Sequence, residues 1–333
     1  MEDRLMKKVV VFGSAIADMV VRSESFRVLK SHQVEGGIAL CEVYGGKLEA
    51  ETADLFLGGG GTNVGLGLMR LGQTVKVVSA VGKDRLGVII KGEMERYGLD
   101  TDGLVEKDGK SGASVILVAG DGGRSIITHR GASQRIDTRE VNWQIVEKAD
   151  WVQASSLGGK MDLLEDLVIF ASKKKIKVGL NPGKKELKEK GKMKPLLSKI
   201  EFLSLNHMEA TEFWGGKLGD DKEMARKFIE AGVKRVAITD GKKGAGLGDK
   251  DGWMKMSAFK VKSVDDTGAG DAFAAGIVAG VLLGKEREEL LKMGLANGGS
   301  VVGFLGTKEG LLKKEEMVKW LKRKVKLVEE EWV

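Results

Sequence analysis

The 333 residues of the chain can form one large α/β domain or two small ones, and 42% hydrophobic with 31% charged residues excludes a disordered protein. The net charge of +7 comes from 55 basic and 48 acidic residues spread along the sequence, which argues against nucleic-acid binding as the main role. No apolar run is long enough to span a membrane, and the single cysteine, Cys41, cannot form an internal disulfide, so we expect a cytoplasmic protein.

The first apolar run, residues 7–12, is followed by Gly13. A continuous apolar run that stops at a glycine is typical of a buried parallel strand. The segment after it lacks the G-x-G-x-x-G pattern, which disfavours an NAD-dependent dehydrogenase. Further strands are predicted over residues 75–81, 151–154, 177–181, 201–205 and 235–239, and helices over residues 84–97, 163–174, 223–231, 287–297 and 315–328. This alternation predicts an α/β fold, a doubly wound and mostly parallel sheet with helices on both faces, whose ligands lie at the carboxyl ends of the strands.

Two segments interrupt this alternation with strands that have no helix between them. Residues 20–56 alternate apolar and polar positions around pairs of glycines, and residues 113–118 and 125–130 are joined by the turn Asp121-Gly122-Gly123. We therefore expect a single domain over residues 1–333 with a small β-sheet lid inserted at about 20–56 and 113–130.

A glycine-rich stretch, residues 58–61, precedes a helix predicted over residues 65–71. Its glycines allow a ligand to approach the backbone closely, and Asn63 offers both a hydrogen-bond donor and an acceptor. A flexible loop is the alternative, whereas a Walker phosphate loop is excluded because no G-K-[ST] follows.

Residues 264–273 form the most informative stretch. A strand-like segment over residues 259–264 leads into it, and a glycine turn is followed at once by an apolar helix. The amides of Gly268, Ala269 and Gly270 lie at the positive end of that helix and predict an anion site. Asp271 lies in the first turn, where it is either an ordinary helix-start acid or a reactive carboxylate beside the anion.

The stretch 265–271 resembles the C-terminal signature D-T-x-G-A-G-D of the ribokinase-like (PfkB) carbohydrate kinases, with Asp266 in place of the usual Thr. The glycine-rich stretch through Asn63 resembles the N-terminal signature of that family, G-G-x-x-x-N. The resemblance implies a ribokinase-like fold and transfer of the γ-phosphoryl group of ATP to a hydroxymethyl group of a sugar or sugar-like molecule. It also implies that Asp271 is the catalytic base and that the amides of Gly268, Ala269 and Gly270 form the anion hole.

The same resemblance implies roles for residues elsewhere in the chain. The acceptor is expected at Asp18, Gly59, Gly60 and Asn63, with Arg130 facing a carboxylate or phosphate substituent, and the nucleotide at Asn206, Thr239, Gly241, Lys242 and Asn297. Glu209, in the N-x-x-E motif, is expected to hold Mg²⁺ through water, or else to be only a capping-box acid. Asp265 is expected beside a monovalent cation, K⁺, and the lid is expected to form a homodimer.

The acceptor itself stays open. Ile16 stands where ribokinases carry an Asn, and residues 153–156 lack their Glu, so a strict ribokinase is disfavoured. A fructokinase-like or sugar-acid kinase, a nucleoside kinase and a non-catalytic sugar or nucleotide sensor remain alternatives. Two structural expectations follow: residues 59–63 and 268–271 should face each other, and the helix terminus should lower the pKa of Asp271.

Overall fold

Sixteen strands lie within residues 6–32, 34, 37–330 and 332, the part of the chain that the computed structural model describes. In chain order they are β1 (Lys8–Phe12), β2 (Ile16–Ser23), β3 (Arg27–Lys30), β4 (Ile38–Cys41), β5 (Thr52–Gly58), β6 (Thr74–Gly82), β7 (Leu104–Lys107), β8 (Gly112–Ala119), β9 (Arg124–His129), β10 (Trp151–Ala154), β11 (Lys177–Leu180), β12 (Phe202–Asn206), β13 (Val236–Thr239), β14 (Ala245–Asp249), β15 (Gly252–Met256) and β16 (Leu327–Glu330). Ten of them form one central sheet in the order β16-β15-β14-β13-β12-β11-β10-β1-β6-β7.

The central sheet is parallel over most of its width. Neighbouring strands from β7 to β13 run in the same direction, whereas β14, β15 and β16 extend one edge in antiparallel fashion. Parallel strands are normally covered on both faces, and in β1 both Val10 and Val11 are buried although they point to opposite faces. The predicted doubly wound, mostly parallel sheet is therefore confirmed.

Helices cover both faces of this sheet. Within the described residues they are α1 (Gly60–Arg70), α2 (Arg85–Arg96), α3 (Trp143–Glu147), α4 (Met161–Lys173), α5 (Lys184–Lys188), α6 (Lys190–Met193), α7 (His207–Trp214), α8 (Asp221–Glu230), α9 (Ala269–Leu282), α10 (Arg287–Val301) and α11 (Lys314–Leu321), with 3-10 turns at Gly131–Gln134, Thr138–Glu140, Lys194–Lys199 and Gly241–Lys243. Val11 belongs to a buried cluster with α1, α9 and α10, and Val10 to a second cluster with α4, α7 and α8. None of the helices in the described ranges combines the length and apolar character needed to cross a membrane.

The two predicted lid segments form a separate four-stranded sheet in the order β5-β2-β8-β9, with β3 and β4 paired as a ribbon of their own. The β8–β9 hairpin has the expected position, but β2 already begins at Ile16, ahead of the predicted segment. Asp18 consequently lies on a strand rather than in the loop that follows β1. Because side chains alternate along a strand, Asp18 and Val20 share one face of this lid sheet and Met19 points to the other.

One predicted strand is absent, and one predicted helix is shorter than expected. Residues 259–264 form no strand, and the Phe259 ring packs against Trp320 with centroids 5.1 Å apart. The helix predicted over residues 315–328 ends at Leu321, and β16 pairs antiparallel with β15 instead. The unpaired backbone groups at the edge of β15 need partners, and this tertiary pairing outweighs the local helical pattern of residues 322–328.

Candidate active site

The glycine-rich stretch lies against the loop that follows β1. Gly59 precedes the first turn of α1 with a φ of 100°, and a Cβ added to it would lie 2.3 Å from the Ser14 carbonyl oxygen, so only glycine fits there. The Gly60 amide donates to Ser14 Oγ at 3.2 Å, and Thr62 Oγ1 donates to the Gly58 carbonyl at 2.7 Å. Helix α1 therefore begins at Gly60, earlier than predicted, because the hydroxyl and the carbonyl of Ser14 accept from the Gly60 and Gly61 amides of its first turn.

The first turn of α1 meets the first turn of α9. Asn63 Nδ2 donates to Asp271 Oδ2 at 2.8 Å, and Asn181 Nδ2, just beyond β11, donates to Asp271 Oδ1 at 3.4 Å. Gly60 is also close, since a Cβ added there would lie 3.5 Å from Asp271 Oδ1. The structure thus places residues 59–63 against residue 271, as expected, and adds Asn181, which the sequence analysis did not single out.

The environment of Asp271 makes its carboxylate more basic. Burial raises its pKa above the ordinary value for aspartate, opposed by the hydrogen bond from Asn63, the charge of Lys308 and the hydrogen bond from Asn181. The expected lowering by the helix terminus is therefore wrong in direction, because loss of water around the carboxylate outweighs the helix dipole. Asp271 stays partly exposed, so a proton donor can reach it.

The glycine turn before α9 offers the features of an anion site. Gly268 has a φ of 77°, and the Ala269 amide donates to the Asp266 carbonyl at 3.2 Å. Gly270 is exposed, and a Cβ added to it would meet no atom within 4 Å. The first-turn amides of this long helix have no acceptor inside the helix, and open space adjoins them, so the turn fits a phosphate group.

Asp18 lies on β2 with 8% of its surface exposed. Its Oδ1 atom is buried and has no hydrogen-bond partner among the described residues, and a Cβ on Gly58 would lie 1.9 Å from its Oδ2. Burial raises the pKa of Asp18, while Ser114 and the charge of Lys308 oppose the rise. A buried carboxylate oxygen normally accepts a hydrogen bond, so this one suits a ligand hydroxyl.

Lys308 is a site residue that the sequence analysis missed. Only 2% of its surface is exposed, and its Nζ donates to Thr62 Oγ1 at 3.1 Å, to Thr307 Oγ1 at 3.2 Å and, in a close contact, to Asn63 Oδ1. Burial lowers the pKa of Lys308 to about 7, although Asp18 and Asp271 act in the opposite direction. The sequence gives no signal of this burial, because Lys308 is one of 55 basic residues and stands in a short glycine-flanked segment.

Asn206 and Glu209 form the capping box that the sequence analysis left as an alternative. The Glu209 amide donates to Asn206 Oδ1 and the Asn206 amide to Glu209 Oε2, both at 2.9 Å. Burial raises the pKa of Glu209. The capping box uses one carboxylate oxygen, so Oε1 can still accept from water bound to a metal. The described ranges contain no group of three or more His, Cys, Asp or Glu residues arranged for a metal ion.

The loop after β13 carries the other predicted nucleotide residues. Thr239 Oγ1 donates to the Leu205 carbonyl at 3.4 Å, and Gly241 and Lys242 are exposed at the end of the strand. Asp240, whose negative charge would oppose a phosphate group nearby, pairs with Lys243 at 3.1 Å. This pairing offsets the charge of Asp240 and leaves Lys242 open to solvent.

Asn297 does not belong with these residues. It is fully buried, its Nδ2 donates to the Ala272 carbonyl at 2.7 Å, and its Oδ1 accepts from the Leu312 amide at 3.0 Å. The side chain connects α9 and α10 to the segment before α11. A side chain with no exposed surface cannot reach a bound nucleotide, so Asn297 is a structural residue that holds these segments together.

Asp265 has partners that do not suit a potassium ion. Its Oδ1 accepts from the Thr267 amide at 2.9 Å and from the Thr267 hydroxyl at 2.7 Å, and its Oδ2 accepts from the Gly306 amide at 3.2 Å. Arg124, from the tip of the β8–β9 hairpin, pairs closely with both Asp265 and Asp266. The guanidinium already neutralises this carboxylate, so the residues present do not fit a second cation.

Arg130 lies just beyond β9 and is exposed. Its backbone carbonyl accepts from the Ser133 hydroxyl at 2.6 Å, which fixes the main chain and leaves the guanidinium at the surface. Its position on the lid is as expected, and its role stays a prediction.

Comparison with known proteins adds to this geometry. A family model described as pfkB family carbohydrate kinase matches residues 6–314. An uncharacterized sugar kinase of Archaeoglobus fulgidus is 30% identical over 252 residues, 74% of this chain and 98% of the relative, and a Haemophilus influenzae ribokinase is 27% identical over 285 residues, 83% and 91%. The solved structure of Arabidopsis thaliana ribokinase complexed with ribose and ATP has a TM-score of 0.77 at 24% identity, covering 96% of this chain and 100% of that one.

Proposed function

Because the chain belongs to the pfkB family of carbohydrate kinases and has the ribokinase fold, we propose that it transfers the γ-phosphoryl group of ATP to a hydroxymethyl group of a sugar or sugar-like acceptor. The observation that carries this proposal is the 2.8 Å hydrogen bond from Asn63 to Asp271. It joins the glycine-rich stretch to the carboxylate beside the anion site. The proton acceptor and the phosphate site thus share one location.

On the acceptor side, Asp18 accepts a hydrogen bond from a sugar hydroxyl through its unpartnered oxygen, and Asn63 offers its second amide hydrogen. Gly59 and Gly60 let the acceptor approach the backbone closely. The Gly60 amide does not donate to the acceptor, because it already donates to the Ser14 hydroxyl. The attacking hydroxyl forms a bond to the γ-phosphorus while the bond to the β-phosphate oxygen breaks, and its proton passes to Asp271. The raised pKa of Asp271 makes it a better proton acceptor than an exposed aspartate.

On the donor side, the amides of Gly268, Ala269 and Gly270 face the phosphates, with Ala269 contributing less because its amide is already bonded within the turn. Asn206, Thr239, Gly241 and Lys242 bind the nucleotide, and Glu209 holds Mg²⁺ through water. The metal supplies positive charge that offsets charge on the phosphates. Phosphoryl transfer demands positioning and charge stabilisation more than covalent chemistry, and these residues supply both. We also infer that the protein acts in the cytoplasm, where ATP is available as the phosphoryl donor.

The lid also suits a homodimer. Its face opposite Asp18 exposes Met19, Leu55 and Ile127, which are 44%, 41% and 65% exposed. Apolar side chains grouped on one sheet face favour association with a second copy of this face. Ile127→Lys should yield a monomer in light scattering, whereas Val88→Lys, on the exposed side of α2, should leave the dimer intact. A wild-type monomer would overturn this assignment.

The function is tested by measuring ADP release from ATP with pentoses, hexoses, sugar acids and nucleosides as acceptors. We expect turnover with a sugar or sugar acid, and a loss of several orders of magnitude in kcat in Asp271→Asn with little change in ATP affinity. Turnover with nucleosides alone would favour a nucleoside kinase. Ligand binding without phosphoryl transfer would favour a sensor, and near-normal kcat in Asp271→Asn would remove Asp271 as the base.

A further inference from the structure

Lys308 has three hydrogen bonds, all to side-chain oxygen atoms. They reach Thr62, Thr307 and, in the closest contact, Asn63. An ammonium group has three hydrogens to donate and accepts none, so this set satisfies it completely. No carboxylate is among these partners, which distinguishes the arrangement from an ordinary buried ion pair.

These contacts decide which way the Asn63 amide points. Its Oδ1 accepts from Lys308 and from the Thr307 hydroxyl, the latter at 2.8 Å. The flipped amide would place Nδ2 against an ammonium group, donor against donor, which is strongly unfavourable. Nδ2 must therefore point the other way, toward Asp271 Oδ2 at 2.8 Å.

We propose that Lys308 is a positioning residue of the phosphoryl-transfer site, holding the Asn63 amide so that its N–H group donates to Asp271. This inference rests on the proposed function, since it assigns Lys308 to the reaction of Asp271. Lys308 acts through Asn63 and does not contact the carboxylate itself. It fixes the orientation of the base and supplies positive charge to two nearby carboxylates, Asp18 and Asp271.

The segment that carries Lys308 is itself fixed. Arg70 Nη1, at the end of α1, donates to the Lys308 carbonyl at 2.8 Å and to the Leu311 carbonyl at 2.9 Å. On the other side, the Gly306 amide donates to Asp265 at 3.2 Å. A positioning group must be held by its own surroundings, and the backbone of Lys308 is held at both ends.

Packing alone does not account for a lysine at this place. Burial lowers the pKa of Lys308 to about 7, which means that its charge is costly there. A methionine has a similar length and no charge, so it would fill the same volume at lower cost. A residue with a strongly shifted pKa between two carboxylates is instead typical of a functional site.

Lys308→Met tests the proposal in the full-length enzyme. We expect kcat to fall about 100-fold, the usual effect of a misplaced catalytic group, while the thermal midpoint stays the same or rises. The acidic limb of the kcat/KM profile should move to higher pH, because Asp271 loses both a nearby positive charge and a fixed hydrogen bond. The charged groups facing Lys308 are Asp18, Asp271 and Arg70.

The matched control is Lys319→Met, an exposed lysine on α11, which should match the wild type in rate and in pH profile. Thr307→Val removes the second donor to Asn63 but keeps the ammonium group, so its loss in kcat should be smaller. Lys308→Met with wild-type kcat and an unmoved acidic limb would show that Lys308 is only structural.

A measurement without turnover separates this inference from the proposed function. In ¹³C NMR titrations, the carboxyl pKa of Asp271 should be higher in Lys308→Met than in the wild type, whether or not any acceptor is phosphorylated. An unchanged titration overturns the positioning role. If the wild type phosphorylates no acceptor but the Asp271 pKa still differs between Lys308→Met and the wild type, the kinase assignment is overturned, whereas the coupling of Lys308 to Asp271 stands.

Discussion

Replacing Gly58 with alanine tests whether Asp18 holds the acceptor. The φ of Gly58 is not positive, so alanine brings no backbone strain, but its Cβ would lie 1.9 Å from Asp18 Oδ2 and 2.4 Å from Asp18 Cγ. Heavy atoms cannot stay that close. The Asp18 carboxylate must move by about 1 Å or more to restore an ordinary contact.

A displacement of about 1 Å in a group that positions a substrate costs about 100-fold in rate, or about 2.7 kcal/mol of transition-state stabilisation. We therefore expect kcat/KM for the acceptor to fall about 100-fold in Gly58→Ala. The KM for ATP should change by less than about twofold, because Asp18 lies on the lid and not among the proposed nucleotide residues.

The assay is steady-state kinetics with each substrate varied in turn, and Gly92→Ala serves as the control. Gly92 lies within α2, and a Cβ there would meet no atom within 4 Å, so this variant should keep wild-type kinetics and gain up to about 1 kcal/mol of stability. The double variant Gly58→Ala/Asp18→Ala should match Asp18→Ala, because the clash has lost its partner. Wild-type acceptor kinetics in Gly58→Ala would refute the role of Asp18.

Three further predictions follow from individual side chains. The raised pKa of Asp271 in the folded protein means that its ionised form destabilises the fold, so Asp271→Asn should melt at a higher temperature than the wild type at pH 7. This difference in melting temperature should shrink as the pH falls through the raised pKa, because the wild-type carboxylate then becomes protonated. An equal difference at all pH values would contradict this prediction. Potassium should not increase the kinase activity of the wild type, whereas it should increase that of Arg124→Leu, in which Asp265 has lost its guanidinium partner. Activation of the wild type by potassium at constant ionic strength would show that Arg124 does not take the place of the ion. Arg130→Ala should raise KM only for acceptors that carry a carboxylate or phosphate, and an equal rise for neutral sugars would point to a general effect on the lid.

The sequence predicted the parts of the site that are local in the chain. Gly59, Asn63 and Asp271 lie within short motifs whose residue types reflect backbone and hydrogen-bond requirements, and the structure brings them together. Alternation of strands and helices also predicted the sheet, since burial on both faces leaves continuous apolar runs such as residues 7–12.

The remaining features depend on contacts between segments that are distant in sequence. Lys308 becomes buried because it contacts Thr62 and Asn63 in the first turn of α1, a segment far away in the sequence, and no local pattern records that contact. The pKa of Asp271 was predicted in the wrong direction because the helix dipole is a property of α9, whereas desolvation depends on all the segments that pack around it. Asn297 was misplaced for the same reason, because its partners, Ala272 and Leu312, are on other segments.

The unusual Asp266 has a physical explanation in the folded structure. Two adjacent carboxylates, Asp265 and Asp266, would repel each other, but the forked guanidinium of Arg124 can pair with both. The β8–β9 hairpin, whose tip carries Arg124, also carries Ser114, which is in register with Asp18 on β2. The base of this hairpin thus lies beside Asp18, the proposed acceptor residue, and its tip contacts Asp265 and Asp266 in the C-terminal signature. A movement of that hairpin away from the central sheet would break both sets of contacts together, which would couple the proposed acceptor site to the proposed anion site.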